Sequence, residues 1–526
     1  MSEMEPTEKE RFPEEKKEKS QKEKKRTLAA ISIFLLVLGN ALFFFLLWLI
    51  DRYDNPTVDQ LLFMVKSSAA GTNSGLVGGA ILFIGGFVIL FCAIEAGIYL
   101  LLSGRLVRAI KAKSYGRYSD GKTSAFLRKH HLPMASVLLL VSLLIFFLRL
   151  DIFAYVGASV TKSDFIEENY VSPNEVTLNF PEQKRNLIYI VLESMENTFS
   201  DTEAGGAIKE NYMPELTTLA KENVTFSSTE GIGGALSYNG TTWTAAALAA
   251  HTSGVTVKVS LFQESFGEEN SFLPGLVTIG DILEKEGYNQ TVLFGSDARF
   301  ACRDYYFSDH GNYNIVDTVS LKAEGKLPYD YEEWWGFEDE KLFEFAKEEI
   351  LKLASMDEPF NFTMLTADTH FPDGYVCRLC ENEYEKQYAN VIRCSSKQVS
   401  AFVDWIKEQD FYENTTIVLA GDHLTMDSEF LADCDEDYTR TLYNCFINSA
   451  QEPSNDKNRQ FGVFDMFPTT LAAMGVEIEG NRLALGTNLF SEEKTLTEKF
   501  GYEKFNYEML KKSEYYNQNF FENDED

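Results

Sequence analysis

Three apolar runs of strand length stop at residues able to hold a metal ion. "NLIYIVL" (186–192) is followed by Glu193, "TIVLAG" (416–421) by Asp422 and His423, and "TMLTADT" (363–369) by His370. Carboxylates joined by an imidazole suit a divalent cation such as Mn²⁺, Mg²⁺ or Zn²⁺, and oxygen-rich sets favour the harder ions. A lone carboxylate at a strand end is also what a helix cap or a turn uses, so Glu193 by itself decides nothing. An Asp-His pair after an apolar strand is less ordinary, and for it the ligand and structural readings both stay open. Of six histidines, four lie beyond residue 150: His251, His310, His370 and His423.

A nucleophile candidate stands in "GTTWTAAALAAHTSG", which begins at Gly240. Thr241, Thr242 and Thr244 open an alanine-rich helix, although β-branched residues cost helix stability. Threonine caps helices by accepting a hydrogen bond from an orphan N–H of the first turn. A threonine hydroxyl where several N–H dipoles converge can instead attack a phosphorus, since those dipoles stabilise both its anion and the phosphate. Nearby, Trp243 is expected to pack rather than touch substrate. His251, late in the helix, is expected to complement the dipole, and His310, before Gly311, to sit in a turn.

These residues need a scaffold that gathers strand ends. Continuous apolar runs at 186–194, 290–297, 360–370 and 414–423 alternate with helical stretches at 280–288, 339–356 and 395–409. Runs without alternation are buried on both faces, so the pattern predicts an α/β fold with a mostly parallel sheet and helices on both faces. In such sheets the binding crevice lies beyond the carboxyl ends of the strands.

Upstream, runs at 27–50, 76–102 and 134–150 predict three transmembrane helices, the third near the lower limit of length. The tail 1–26 carries nine Lys/Arg and the loop 103–132 eight, against two in 51–75, which places the amino terminus inside the cell. The expected organisation is a charged cytoplasmic tail (1–26), a transmembrane region (27–150), a polar connector (151–184), an extracytoplasmic catalytic domain (185–495) and a C-terminal tail (496–526). The last dozen residues are expected to fray. Beyond residue 150 there are 28 Lys/Arg against 67 Asp/Glu, a balance that excludes nucleic acid as a partner and requires a local cation wherever a phosphate is handled. Six cysteines lie outside the spans: Cys302, Cys377, Cys380, Cys394, Cys434 and Cys445. Disulfides are the first expectation in an oxidising compartment, free thiols the second and a structural metal the last, because no second close pair follows "CRLC". Glu95, inside the second span, is an intramembrane carboxylate open to a functional or a merely hydrated reading.

Six blocks occur in order between residues 185 and 492: "NLIYIVLESMEN", "NGTTWTAAALAAHTSGV", "FACRDYYFSDHGN", "THFPDGYVC", "IVLAGDHLTM" and "FDMFPTTLAAMGVEIEGNRLALGTNLFS". Together they resemble the membrane-anchored phosphoglycerol transferases, relatives of lipoteichoic acid synthase within the alkaline phosphatase and sulfatase superfamily. The resemblance implies an alkaline-phosphatase-like fold, Thr244 as nucleophile, and Glu193, Asp422, His423 and Thr244 around one cation, Mn²⁺ first, with Mg²⁺ or Zn²⁺ as alternatives. It implies that Arg303 and His370 hold phosphate and that Asp297 meets glycerol hydroxyls. The implied donor is phosphatidylglycerol in a bacterial cell membrane, and the implied acceptor a glycan or a glycerol-phosphate polymer. Ala301 stands where lipoteichoic acid synthases carry tryptophan, so "FACRD" is nearer the glucan-modifying branch. Competing expectations are a phosphoethanolamine transferase, a phosphate or sulfate ester hydrolase, and a catalytically silent receptor for head groups. A sulfatase would need Cys or Ser in place of Thr244.

Overall fold

Three helices are long and apolar enough to cross a membrane. In the computed structural model, which describes residues 8–53, 56–67, 70, 74–102, 122–259, 266, 272–331, 333–432, 434–435 and 437–521, they are α1 (Glu8–Tyr53), α3 (Ser74–Leu102) and α4 (Lys122–Arg149). Between the first two lies α2 (Val58–Lys66), capped by Thr57, whose hydroxyl accepts the Gln60 N–H at 3.4 Å. Residues 1–7 of the expected tail, most of the second basic loop (103–121) and the final residues 522–526 lie outside the described residues. The chain divides into two units, Met1–Arg52 with Asn73–Phe153, and Tyr53–Thr72 with Ala154–Asp526. Within the first, the Asn40 amide donates to Glu95 Oε2 at 3.0 Å, which gives the intramembrane carboxylate a polar partner.

The second unit is built on a six-stranded sheet: β1 (Asn186–Leu192), β2 (Asn289–Phe294), β3 (Asn314–Val316), β4 (Phe360–Leu365), β5 (Thr415–Gly421) and β6 (Asn444–Ile447). The spatial order is β3-β2-β4-β1-β5-β6, with every pair parallel except β5 and β6. Four helices matter for the site: α5 (Thr244–Ser253), α6 (Arg303–Asp309), α7 (Asp339–Ala354) and α8 (Gln387–Lys407). Strand side chains alternate between faces, and both faces are covered. Leu187, Tyr189 and Val191 join α5 in one apolar cluster, while Ile188, Ile190 and Leu192 join α7 and α8 in the other. Double-sided burial is why these strands read as unbroken apolar runs.

The four long runs are strands and the fold is the α/β class expected. The edge strands β3 and β6 were not expected; they are short and carry no long apolar run. α8 begins eight residues before the expected 395, since Tyr388, Ala389, Val391 and Ile392 are buried. Two corrections concern order. The expected polar connector holds short helices at Ile152–Ser159 and Phe165–Asn169, with Phe165 and Ile166 buried. The expected frayed end is packed as far as Phe521: Tyr516 and Phe520 are 0% and 1% exposed, and Phe520 meets the Tyr170 ring at 5.0 Å. Tyr515 and Phe521 add ring contacts of their own, to Tyr170 at 5.8 Å and to Phe266 at 5.6 Å. The disulfide expectation is also corrected, because no disulfide joins any two cysteines among the described residues. Cys302 and Cys445 belong to the apolar clusters on opposite faces of the sheet, where neither can reach the other.

Candidate active site

β1 and β5 are parallel neighbours, registered from Asn186 opposite Thr415 to Leu192 opposite Gly421. The residues that follow are Glu193 and Asp422, so the register sets two carboxylates side by side at the carboxyl ends. Glu193, Asp422 and His423 are 3%, 0% and 1% exposed, and a ligand atom of each lies within 4.8 Å of the others. Ser194 adopts a positive φ of 52°, and its N–H donates to Asp422 Oδ1 at 2.8 Å; the His423 N–H donates to the same oxygen at 2.7 Å. Asp422 Oδ2 is buried with no hydrogen-bond partner among the described residues. His423 Nδ1–H donates to the Leu424 carbonyl at 2.9 Å, which leaves Nε2 as the ring nitrogen facing Glu193 Oε1 and Asp422 Oδ2, each 3.5 Å away.

Thr244 completes this cluster. Its hydroxyl lies 3.3 Å from Glu193 Oε2, to which it donates, and 3.4 Å from His423 Nε2. The capping reading fails for this residue: the N-cap of α5 is Trp243, and no side chain caps it. Thr241 takes the local role instead, its hydroxyl accepting the Tyr238 N–H at 3.0 Å and donating to the Tyr238 carbonyl at 2.9 Å. Trp243 is a packing residue, 5.4 Å from the Phe63 ring of α2.

The electrostatics fit a divalent cation. Burial, reinforced by the charge of Glu193, pushes the Asp422 carboxyl up to about 7. Burial would lower His423, yet the charges of Asp422 and Glu193 outweigh it and raise the imidazole. Two buried carboxylates pressed together, one oxygen without a donor, and an imidazole nitrogen aimed at both form a donor set that a cation relieves.

The other expected residues surround this centre less directly. Arg303 is buried, with Nη2 donating to Ser296 Oγ and the Asp297 carbonyl, both at 2.8 Å, and its guanidinium 4.5 Å from the Phe294 ring. Burial pulls it down to about 10, opposed by the charges of Asp297, Asp317 and Glu193, so it remains cationic at neutral pH. Ala301 and Cys302 both have positive φ, 57° and 58°, a strained pair of residues from which α6 departs at Arg303. Asp297 gives both carboxylate oxygens to Arg299, at 2.6 to 3.1 Å; burial acts to raise its carboxyl, and Arg299 holds it below the usual range. His370 is one residue beyond Thr369, whose hydroxyl donates to the Glu193 carbonyl at 2.6 Å. Its Nδ1–H donates to the Phe371 carbonyl at 2.7 Å, and its ring meets Trp335 at 4.7 Å.

Several residues that hold the site were not singled out in the sequence. Thr366 accepts the Glu193 N–H at 3.0 Å. Glu196, fully buried, accepts from the Thr425 N–H at 3.0 Å and from Arg440 at 2.5 and 2.8 Å, and so fastens the chain just after His423. His251 is a correction. It is not a cation at a helix end: burial lowers it to about 4, Nδ1 accepts from the Tyr189 hydroxyl at 2.8 Å, and Nε2–H donates to the Gly421 carbonyl at 3.1 Å. It ties α5, which carries Thr244, to the residue before Asp422. His310 follows α6 at the expected turn but is buried, 3.0 Å from the Phe272 carbonyl and 3.3 Å from Asp281 Oδ2.

The sulfatase family model matches residues 185–476, more than half of the chain. The chain belongs to the sulfatase family. The sulfatase-family match runs from the residue before β1 to the segment beyond β6, and so contains all seven expected site residues. Among curated relatives, phosphoglycerol transferase I of Escherichia coli (strain 55989 / EAEC) is 31% identical over 260 residues, 48% of this chain and 33% of that protein. The match thus spans about a third of the relative's length. Among solved structures, a protein in the alkaline phosphatase superfamily from Vibrio parahaemolyticus is 20% identical, with a TM-score of 0.48, covering 64% of this chain and 79% of that one. The lipoteichoic acid synthase LtaP from Listeria monocytogenes is 16% identical, with a TM-score of 0.45, covering 62% and 80%.

Proposed function

We propose that this sulfatase-family chain is a membrane-anchored phosphoglycerol transferase, moving glycerol phosphate from phosphatidylglycerol to a glycan or glycerol-phosphate acceptor. The observation that carries the reading is the Thr244 hydroxyl, half-buried and 3.3–3.4 Å from two members of the Glu193, Asp422 and His423 cluster. The name of the E. coli relative supports the choice of head group. In this reading Glu193, Asp422, His423 and Thr244 hold one divalent cation, Mn²⁺ first. Such a cation lowers the pKa of a bound hydroxyl and screens the charge of a phosphodiester.

This chain's residues do the rest. Thr244 Oγ1 gives up its proton to solvent and attacks the phosphorus, an Oγ1–P bond forms, and the bond from phosphorus to the diacylglycerol oxygen breaks. The N–H dipoles at the start of α5 and the cationic Arg303 stabilise charge on the phosphoryl oxygens. His370 donates a proton to the departing oxygen or a hydrogen bond to the phosphate. An acceptor hydroxyl then gives up its proton and attacks the phospho-threonine, and Oγ1 leaves and takes up a proton to restore the Thr244 hydroxyl. Asp297, already paired with Arg299, takes the glycerol hydroxyls. The basic amino terminus faces the cytoplasm and the catalytic unit the outside, in a cell membrane, which suits a donor that is itself a lipid.

The test uses detergent-solubilised protein, Mn²⁺ and head-group-labelled phosphatidylglycerol, following diacylglycerol release and a phosphoglycerol adduct on Thr244 by peptide mass spectrometry. Both are expected. Turnover of phosphatidylethanolamine in place of phosphatidylglycerol would move the assignment to phosphoethanolamine transfer, and an adduct on another residue would overturn the nucleophile.

A further inference from the structure

Cys377 and Cys380 lie on the loop after His370, and Cys394 lies near the start of α8. Their sulfurs meet: Cys377 Sγ is 3.6 Å from Cys380 Sγ and 3.7 Å from Cys394 Sγ, and all three are within 4.8 Å of one another. Cys377 and Cys394 are buried and Cys380 partly so.

These separations discriminate between the chemistries open to three cysteines. A disulfide brings two sulfurs to about 2.05 Å and strands the third. Thiolates about 2.3 Å from a tetrahedral metal ion stand about 3.8 Å apart, whichever pair is measured. Cys377, nearly equidistant from the other two, matches the second pattern. We propose that Cys377, Cys380 and Cys394 form a three-thiolate site for a thiophilic divalent cation, Zn²⁺, separate from the carboxylate cluster at Glu193.

The donor type supports the choice of ion, since thiolates select Zn²⁺ over the hard ions favoured by carboxylates. The surroundings support it as well. The Gln398 amide lies 3.4 Å from Cys394 Sγ and 3.9 Å from Cys377 Sγ, the kind of outer N–H donor that steadies ligating thiolates. The thiol protons leave to solvent as the ion binds, and three protein sulfurs leave one coordination position to water. The consequence is mechanical. Tyr375 is pinned upstream by its N–H, which donates to the Asp368 carbonyl at 2.7 Å, and its ring stacks on Trp334 at 5.8 Å. A metal bridging Cys377 and Cys380 to α8 fixes the other end of the same loop, and with it the aromatic surroundings of His370.

The test measures zinc per chain by inductively coupled plasma mass spectrometry on full-length protein purified in detergent without chelator and reconstituted with ZnCl₂. In an Asp422→Asn background, which removes a carboxylate of the other site, one zinc equivalent is expected to remain, and adding Cys394→Ser is expected to release it. Cobalt-substituted wild-type protein is expected to show the intense near-ultraviolet thiolate-to-cobalt band, a readout that needs no variant to fold. The band is expected to be absent from Cys380→Ser. Zinc content in the Asp422→Asn background that is indifferent to Cys394→Ser, a wild type lacking the cobalt band, or a peptide in which two of the three cysteines are already joined as a disulfide would each overturn the site.

Discussion

At the scale of residues, the decisive pairing is a hydroxyl with a carboxylate and an imidazole that come from distant parts of the chain. Replacing Thr244 by Ala removes the oxygen proposed to attack and is expected to lower the proposed phosphoglycerol transfer by about a thousandfold or more, while binding of donor lipid survives; steady-state transfer and lipid-binding assays separate the two. Thr244→Ser keeps an oxygen and is expected to retain measurable turnover. His251 gives a prediction about pH. Its folded value, about 4, lies below the ordinary 6.5, so the unfolded chain binds more protons between these limits. The contribution of His251 to stability is therefore complete above pH 6.5 and is lost as pH drops from 6.5 towards 4, by about 3 kcal/mol in all. Thermal melts of wild type and His251→Gln across that window check it, the difference between the two being expected to shrink as pH falls.

At the scale of elements, parallel pairing of β1 with β5 brings Glu193 beside Asp422, and α5 delivers Thr244 from the other side. Both strands were legible as apolar runs because burial on two faces leaves a signature that needs no partner to be seen. Their adjacency was not, since pairing is decided by helices packed on each face. The same limit explains the C-terminal segment. Tyr516 and Phe520 make a weak periodic signal in isolation, and only the surface that receives them, including Tyr170, turns it into order. Phe520→Ala is expected to cost about 3–5 kcal/mol, the range for a fully buried phenylalanine, whereas a frayed tail would not respond. Chemical denaturation of the two proteins side by side is the measurement.

At the scale of the whole molecule, a net charge of −32 stands against the proposed anionic lipid donor unless cations are concentrated where its phosphate would arrive. Buried Arg303 is the side-chain cation proposed for that place, and an ion at the Glu193 cluster would be another. Chelation is accordingly expected to abolish transfer and lower the melting temperature, with Mn²⁺ restoring both. An ion present at a hundred times its dissociation constant contributes about 2.7 kcal/mol. A chelated protein that keeps full activity would remove the ion from the reaction.

The amino-acid sequence alone determined the three apolar spans, the α/β class and the placing of Glu193, Asp422 and His423 at strand ends, because hydrophobic runs and the residues that stop them are local properties of a chain. Tertiary structure decided what is near what. It took Thr244 out of capping and set it against Glu193, made His251 a neutral brace, and drew Cys394 to a pair of cysteines one loop away. Those outcomes depend on strand order and helix packing, which balance contacts across the whole unit and leave no mark in any single stretch.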